Sequence, residues 1–94
     1  MKHHALKTIP PYFEDIHSEQ KKFEIRKDDR GFEVGDMLIL KEWIWDEERY
    51  TGKEMLAKVK YIMRDFPGLE HGYCAMGISV LSYSTEGVPW KEGD

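Results

Sequence analysis

Over residues 55–63 the side chains alternate without a break, with Met55, Ala57, Val59, Tyr61 and Met63 on one side and Leu56, Lys58, Lys60 and Ile62 on the other. A period of two belongs to a β-strand, because successive side chains leave the pleat on opposite faces. The same period recurs elsewhere. Phe23 and Ile25 alternate with Lys22, Glu24 and Arg26, which reads as a half-buried strand with its charges on one face. Residues 37–45 read as a long strand, with Leu38, Leu40 and Ile44 on one side and Met37, Ile39, Trp43 and Trp45 on the other. Apolar on both faces, it needs cover on both. Cys74, Met76, Ile78 and Val80 form the apolar face of a last strand, opposite Tyr73, Ala75, Gly77 and Ser79.

Turn chemistry separates these runs at Asp28-Asp29-Arg30-Gly31, Val34-Gly35-Asp36 and Asp65-Phe66-Pro67-Gly68. Only ahead of Lys22 does the period become 3.6. Thr8-Ile9-Pro10-Pro11 reads as a helix start, with Thr8 as cap and proline tolerated in the first turn. Tyr12, Phe13 and Ile16 then share one helical face, while Glu14 and Asp15 suit the positive end of the helix dipole. The spacing predicts one helix over residues 10–19.

With 94 residues the chain can bury one hydrophobic core. Residues 1–83 are expected to form a single domain, and 84–94, polar apart from Trp90, a loose tail. One early helix followed by four or five strands is a small α+β domain. Long strands joined by short corners favour a mostly antiparallel β-barrel, since closure removes exposed edges. The N-terminal helix is expected to pack at one end of it.

No unbroken apolar run exceeds four residues, as in Met37-Leu38-Ile39-Leu40, far short of the ~20 residues of a bilayer-spanning helix. No charged start followed by an apolar stretch suggests a signal peptide. A cytoplasmic protein with no membrane partner is therefore expected. Net charge is −4, which argues against a broad basic nucleic-acid-binding face. The charge is uneven, however. Residues 11–20 carry −3, residues 21–30 carry +2, and residues 51–60, with Lys53, Lys58 and Lys60 against Glu54, also carry +2. A polyanion would meet a local patch.

The chain has no Gly-rich phosphate loop, HExxH, CxxC or GxSxG. Cys74 is its one cysteine, which excludes an internal disulfide and a cysteine zinc cluster. It reads as a small core residue rather than a nucleophile. His3 and His4 lack a third ligand nearby in sequence, and His17 and His71 read as surface histidines. No metal and no cofactor are expected. The charged strand is different. Lys22, Glu24 and Arg26 would project from one face, and inside a barrel mouth three such groups persist only by pairing or by holding a ligand. A cross-strand ion pair and a ligand site both fit. Arginine supplies a planar fork for phosphate or carboxylate, and glutamate an acceptor.

Here the chain resembles a family. His4-Ala5-Leu6-Lys7, Pro11-Tyr12-Phe13 and Lys22-Phe23-Glu24-Ile25-Arg26-Lys27-Asp28-Asp29-Arg30 resemble the ASCH domain (activating signal cointegrator homology), a branch of the PUA-like superfamily. The continuation Phe32-Glu33-Val34-Gly35-Asp36 and the later Tyr50-Thr51-Gly52 resemble one small bacterial and phage subfamily of it. The resemblance covers residues 3–82 and implies a small β-barrel with a flanking helix. It also implies a cleft for single-stranded RNA or a nucleotide-like ligand, lined by an E-x-R pair. That pair is Glu24 and Arg26, with Lys22 just upstream. Lys7, Asp29, Arg30, Tyr50 and Thr51 are implied to rim the cleft. Tyr50 either stacks on a base or packs its loop against the barrel.

Two further readings follow. Some relatives are enzymes, among them amidohydrolases with a K-x-x-T-x-R strand. Glu24 stands where their threonine would be, which removes that nucleophile. A metal-independent ribonuclease or modified-nucleoside hydrolase would instead use Glu24 as base, with Lys22 or Arg26 steadying negative charge. The third reading is a protein-interaction domain built on Trp43, Trp45 and the acidic Asp46-Glu47-Glu48 loop.

Overall fold

The computed structural model describes residues 1–85, which form β1 (His3–Thr8), α1 (Tyr12–His17), β2 (Phe23–Lys27), β3 (Met37–Ile44), β4 (Arg49–Arg64) and β5 (Tyr73–Ser84). The five strands make one sheet in the order β1-β3-β4-β5-β2, curled into a half-barrel. β1 runs parallel to β3, and every other pairing is antiparallel. The run over residues 55–63 lies inside β4, which spans 16 residues and pairs with β3 on one side and β5 on the other. Its alternation is broken by a bulge between Val59 and Tyr61, so Ile62, and not Tyr61 and Met63 as the period predicts, joins Met55, Ala57 and Val59 on the core side.

Alternation places the core. Leu38 and Leu40 of β3, Met55, Ala57 and Val59 of β4, and Cys74, Met76 and Ile78 of β5 all point into one cluster. Phe32 from the loop after β2 fills it, as do Phe13 and Ile16 of α1. Ile39, on the other face of β3, is buried as well, so that strand is covered on both sides.

Three further expectations need correction. Residues 3–8, for which the sequence pattern predicts no element beyond Thr8 as a helix cap, form an edge strand whose His4, Leu6 and Thr8 point inward and are buried. Its one conventional apolar core residue is Leu6, too few for periodicity to register. The helix is only six residues long, and Pro11 rather than Thr8 stands at its N-cap, with no side-chain cap bond. It ends where Glu19 turns left-handed at φ +65° and the Gln20 and Lys21 N–H groups both donate to Asp15 O. Finally, the sheet is a half-barrel rather than a closed barrel, because β1 and β2 do not pair through their backbones. Arg26 reaches across the gap instead, its guanidinium bonded to Lys7 O and Thr8 Oγ1. The reading of residues 84–94 as a loose tail, and of Trp90 within it, lies beyond Thr85 and so outside the described residues.

Candidate ligand-binding groove

β1 and β2 are the two edges of the sheet, and register decides what they show each other. Ile78 N–H donates to Lys22 O and Asp28 N–H to Gly72 O. By the alternation of an antiparallel pair, even-numbered residues of β2 therefore bond to β5, which leaves the N–H and C=O of Phe23 and Ile25 on the free edge. The side chains alternate the other way. Glu24 points inward and is 4% exposed, whereas Phe23 and Ile25 point outward at 47% and 51% exposure. This strand buries its acid and exposes its two hydrocarbon side chains, the reverse of what apolar burial alone selects.

The buried charges are fully engaged. Glu24 Oε1 accepts a bond from Lys21 Nζ at 2.6 Å, and Oε2 accepts one from Arg26 Nε at 2.8 Å. Arg26 then crosses the seam, its Nη2 donating to Lys7 O at 2.8 Å and to Thr8 Oγ1 at 3.3 Å. One turn away, Arg30 Nη1 donates to Ala5 O at 2.9 Å. Two arginine side chains thus tie together edges whose backbones stay unpaired.

Over this floor lies a groove of about 640 Å³, within the range of small-molecule sites. Trp43 and Trp45 form one wall, Phe23 and Ile25 the other, and Ile9 and Tyr12 close an end. Lys7 Nζ sits 3.9 Å above the Trp43 ring. Lys21 Nζ lies 4.7 Å from the Phe23 ring centre and 5.6 Å from that of Tyr12. The charged lining is Lys7, Lys21 and Arg26 against Glu24 alone.

Of the residues singled out from the sequence, Lys7, Glu24 and Arg26 meet in this groove. Lys22 does not; it is exposed and borders a separate cavity of about 110 Å³ beside Ile16 and Ile78. Its neighbour Lys21 takes the expected place. β2 begins only at Phe23, and Lys21 is still bonded through its N–H to the end of α1, so the period of two cannot be carried back to residue 22. Arg30 belongs to the seam, and Asp29 is exposed in the loop beyond β2. Tyr50 stands behind the groove, its ring edge-on to Trp43 at 4.8 Å and 5.7 Å from Lys41 Nζ. Thr51 holds the hairpin instead: its hydroxyl donates to buried Glu42 at 2.9 Å and accepts from Lys53 N–H at 3.1 Å. Tyr12 and Lys21 were missed as lining residues. The signal for Lys21 was its place three residues before a buried acid, on the chain's way out of the helix.

A second polar centre supports the floor from the opposite end of β1. Asp36 accepts from Lys2 N–H and from Glu33 N–H, each at 3.0 Å, and its Oδ2 lies 2.9 Å from His4 Nε2. Burial pushes this carboxyl up, but the bonds from His4, Lys2 and Glu33 outweigh it and hold the group below its ordinary value. Burial also pushes the Cys74 thiol up, away from the reactive thiolate. Among the described residues no three His, Cys, Asp or Glu side chains gather closely enough to hold a metal ion. Among them, too, no helix is long and apolar enough to cross a membrane.

A family model described as a domain of unknown function, DUF3850, matches residues 3–78. The chain belongs to that family. The matched span of the DUF3850 domain holds every groove residue, from Lys7 to Trp45, and both arginines of the seam. The DUF3850 domain is also similar to a protein of Escherichia phage P2 described as "Uncharacterized 12.9 kDa protein in GpA 3'region", at 38% identity over 56 residues. That match covers 60% of this chain and 50% of the phage protein, so it spans about half the length of that relative.

Proposed function

We propose that this DUF3850 domain binds single-stranded RNA or a nucleotide-like ligand in the groove over the β1–β2 seam. The observation that carries the reading is the inverted strand β2, which puts an engaged Glu24–Arg26 pair in the floor and apolar side chains in the wall. Three cations against one acid favour an anionic ligand, and the rings of Trp43, Trp45 and Tyr12 offer faces on which a base can stack. Glu24, held by two cations, fixes Arg26; it has no oxygen left without a donor to act as a free base, so binding is placed ahead of catalysis. The resemblance of residues 22–36 to ASCH domains supports the same assignment. On this reading the half-barrel is a PUA-like barrel, with α1 closing one end through Phe13 and Ile16.

The test is a titration with mononucleotides and short RNAs at about 50 and 200 mM salt, followed by tryptophan fluorescence. Saturable quenching that weakens with salt, and weakens about tenfold in Lys7→Ala, is the expected result. A folded protein that binds neither nucleotide nor RNA overturns the proposal. A protein partner is the second reading, favoured by Trp45, which is 73% exposed, because aromatic anchors dominate interfaces. It predicts no quenching by any nucleotide.

A further inference from the structure

The groove wall made by Phe23 and Ile25 is also the border of a second surface. Register carries it across the outer face of the sheet: Phe23 pairs with Gly77 and Gly77 with Tyr61, while Ile25 pairs with Ala75 and Ala75 with Met63. These six positions share one face of the pleat, since their neighbours Glu24, Met76 and Ile62 point to the interior. The outcome is a shallow trough with Gly77 and Ala75 as floor, an aromatic ring on each side of Gly77, and about 10 Å, two strand spacings, from one side to the other. Tyr61 is 66% exposed.

Charge is sorted on the same face. β5 carries no charged residue along its length, and β4 from residue 56 to 63 carries Lys58 and Lys60 with no acid. β2 adds Lys27 outward, and its one acid, Glu24, is turned in. In a chain of net charge −4, the outer face of β2, β5 and the adjoining half of β4 is therefore cationic. Exposed aromatics two strands apart on one sheet face, with lysines beside them, are what a single-stranded nucleic acid requires: rings for bases, ammonium groups for phosphates, and an open sheet that excludes no sequence.

We infer that the outer sheet face is a second stacking platform for single-stranded RNA, continuous with the groove at Phe23, with Tyr61 receiving a base beyond the one in the groove and Lys58 and Lys60 meeting the phosphates. The inference rests on the groove reading and narrows it: the ligand is a strand several nucleotides long, and a mononucleotide fills only the first position.

The test compares a 5′-mononucleotide with an RNA of about eight nucleotides, a length suited to such platforms, on the full chain and on Tyr61→Ala. The expected result is a wild-type preference for the longer RNA, lost by about 5- to 100-fold in Tyr61→Ala, with mononucleotide affinity unchanged. The double variant Lys58→Gln, Lys60→Gln should flatten the salt dependence of the longer RNA by about two charges and leave the mononucleotide alone. If Tyr61→Ala binds the longer RNA as wild type does, or weakens both ligands equally, the second platform is wrong while the groove stands. If the folded wild type binds neither ligand, the groove reading fails and this inference with it.

Discussion

Glu24 is the residue on which the groove depends, and its surroundings set what its removal costs. Its carboxylate is nearly buried and satisfied by Lys21 and Arg26. Taking it away leaves two cations facing each other in a half-dry seam, which is dearer than the pair itself was worth. Glu24→Ala should lower unfolding free energy by about 3 kcal/mol in urea melts, at the low end for a buried pair because Lys21 and Arg26 retain some water. Glu24→Gln, which keeps the shape and one acceptor, should lose less than half of that. An unchanged midpoint in both would show the pair to be ornamental. Asp36 carries a different signature. Its folded pKa lies below the unfolded value near 3.8, so the proton prefers the unfolded chain. Stability from this carboxylate is fully present above that value and is lost as pH falls through the lower folded pKa. Urea midpoints should therefore decline on acidification below about pH 4, and Asp36→Asn should be less stable at neutral pH with a shallower acid limb.

Among the elements, the β3–β4 hairpin shows how a site can be shaped by residues that never enter it. Its register slips between Lys41 and Trp43, where Glu42 opposes the extra residues of β4, and Gly52 sits at φ +96° in the irregularity. Thr51 binds Glu42 across the slip, and the tip beyond carries Trp43 and Trp45 over the seam. Thr51→Val keeps the volume but leaves the buried Glu42 carboxylate short of a donor. It should cost about 1–3 kcal/mol by thermal melting and weaken nucleotide binding only through the displaced tryptophans. This local device explains why Tyr50-Thr51-Gly52 stood out in sequence yet was misplaced: the motif was visible, its work as a bulge was not. The interior strands were legible because β3, β4 and β5 bury alternating apolar residues, and period two reports that directly, except past Val59, where a bulge gives the inward place to Ile62 and turns Tyr61 out. β1 was not, because a six-residue edge strand burying His4 and Thr8 around one leucine gives periodicity nothing to count. The Glu24–Arg26 pair was legible as chemistry but not as geometry, since alternation says that two residues share a face and not which face is inside.

At the scale of the whole molecule, the half-barrel has one weak line, the seam. Every interior strand is laddered on both sides, whereas β1 and β2 are each laddered on one, and only side chains join them. Local opening starts where few backbone bonds must break, so β1 and β2 should form the unit of lowest opening free energy, with the centre of β4 the highest. Arg30→Gln isolates the effect from the groove, because Arg30 ties the seam at Ala5 without lining the cavity. Losing this exposed donor to a backbone carbonyl should cost about 0.5–1.5 kcal/mol, so amide exchange over residues 3–8 should accelerate about two- to tenfold. Residues 55–59 should accelerate by no more than that factor and stay better protected than residues 3–8 if opening is local. Equal protection of both segments in the wild type would mean that the seam opens only when the whole sheet does, and the half-barrel would then behave as a single cooperative unit. The same measurement with a ligand in the groove tests the link to function, since an occupant spanning Lys7 and Phe23 should slow exchange in β1 and β2, and exchange through global unfolding in β4 by no more than the same factor.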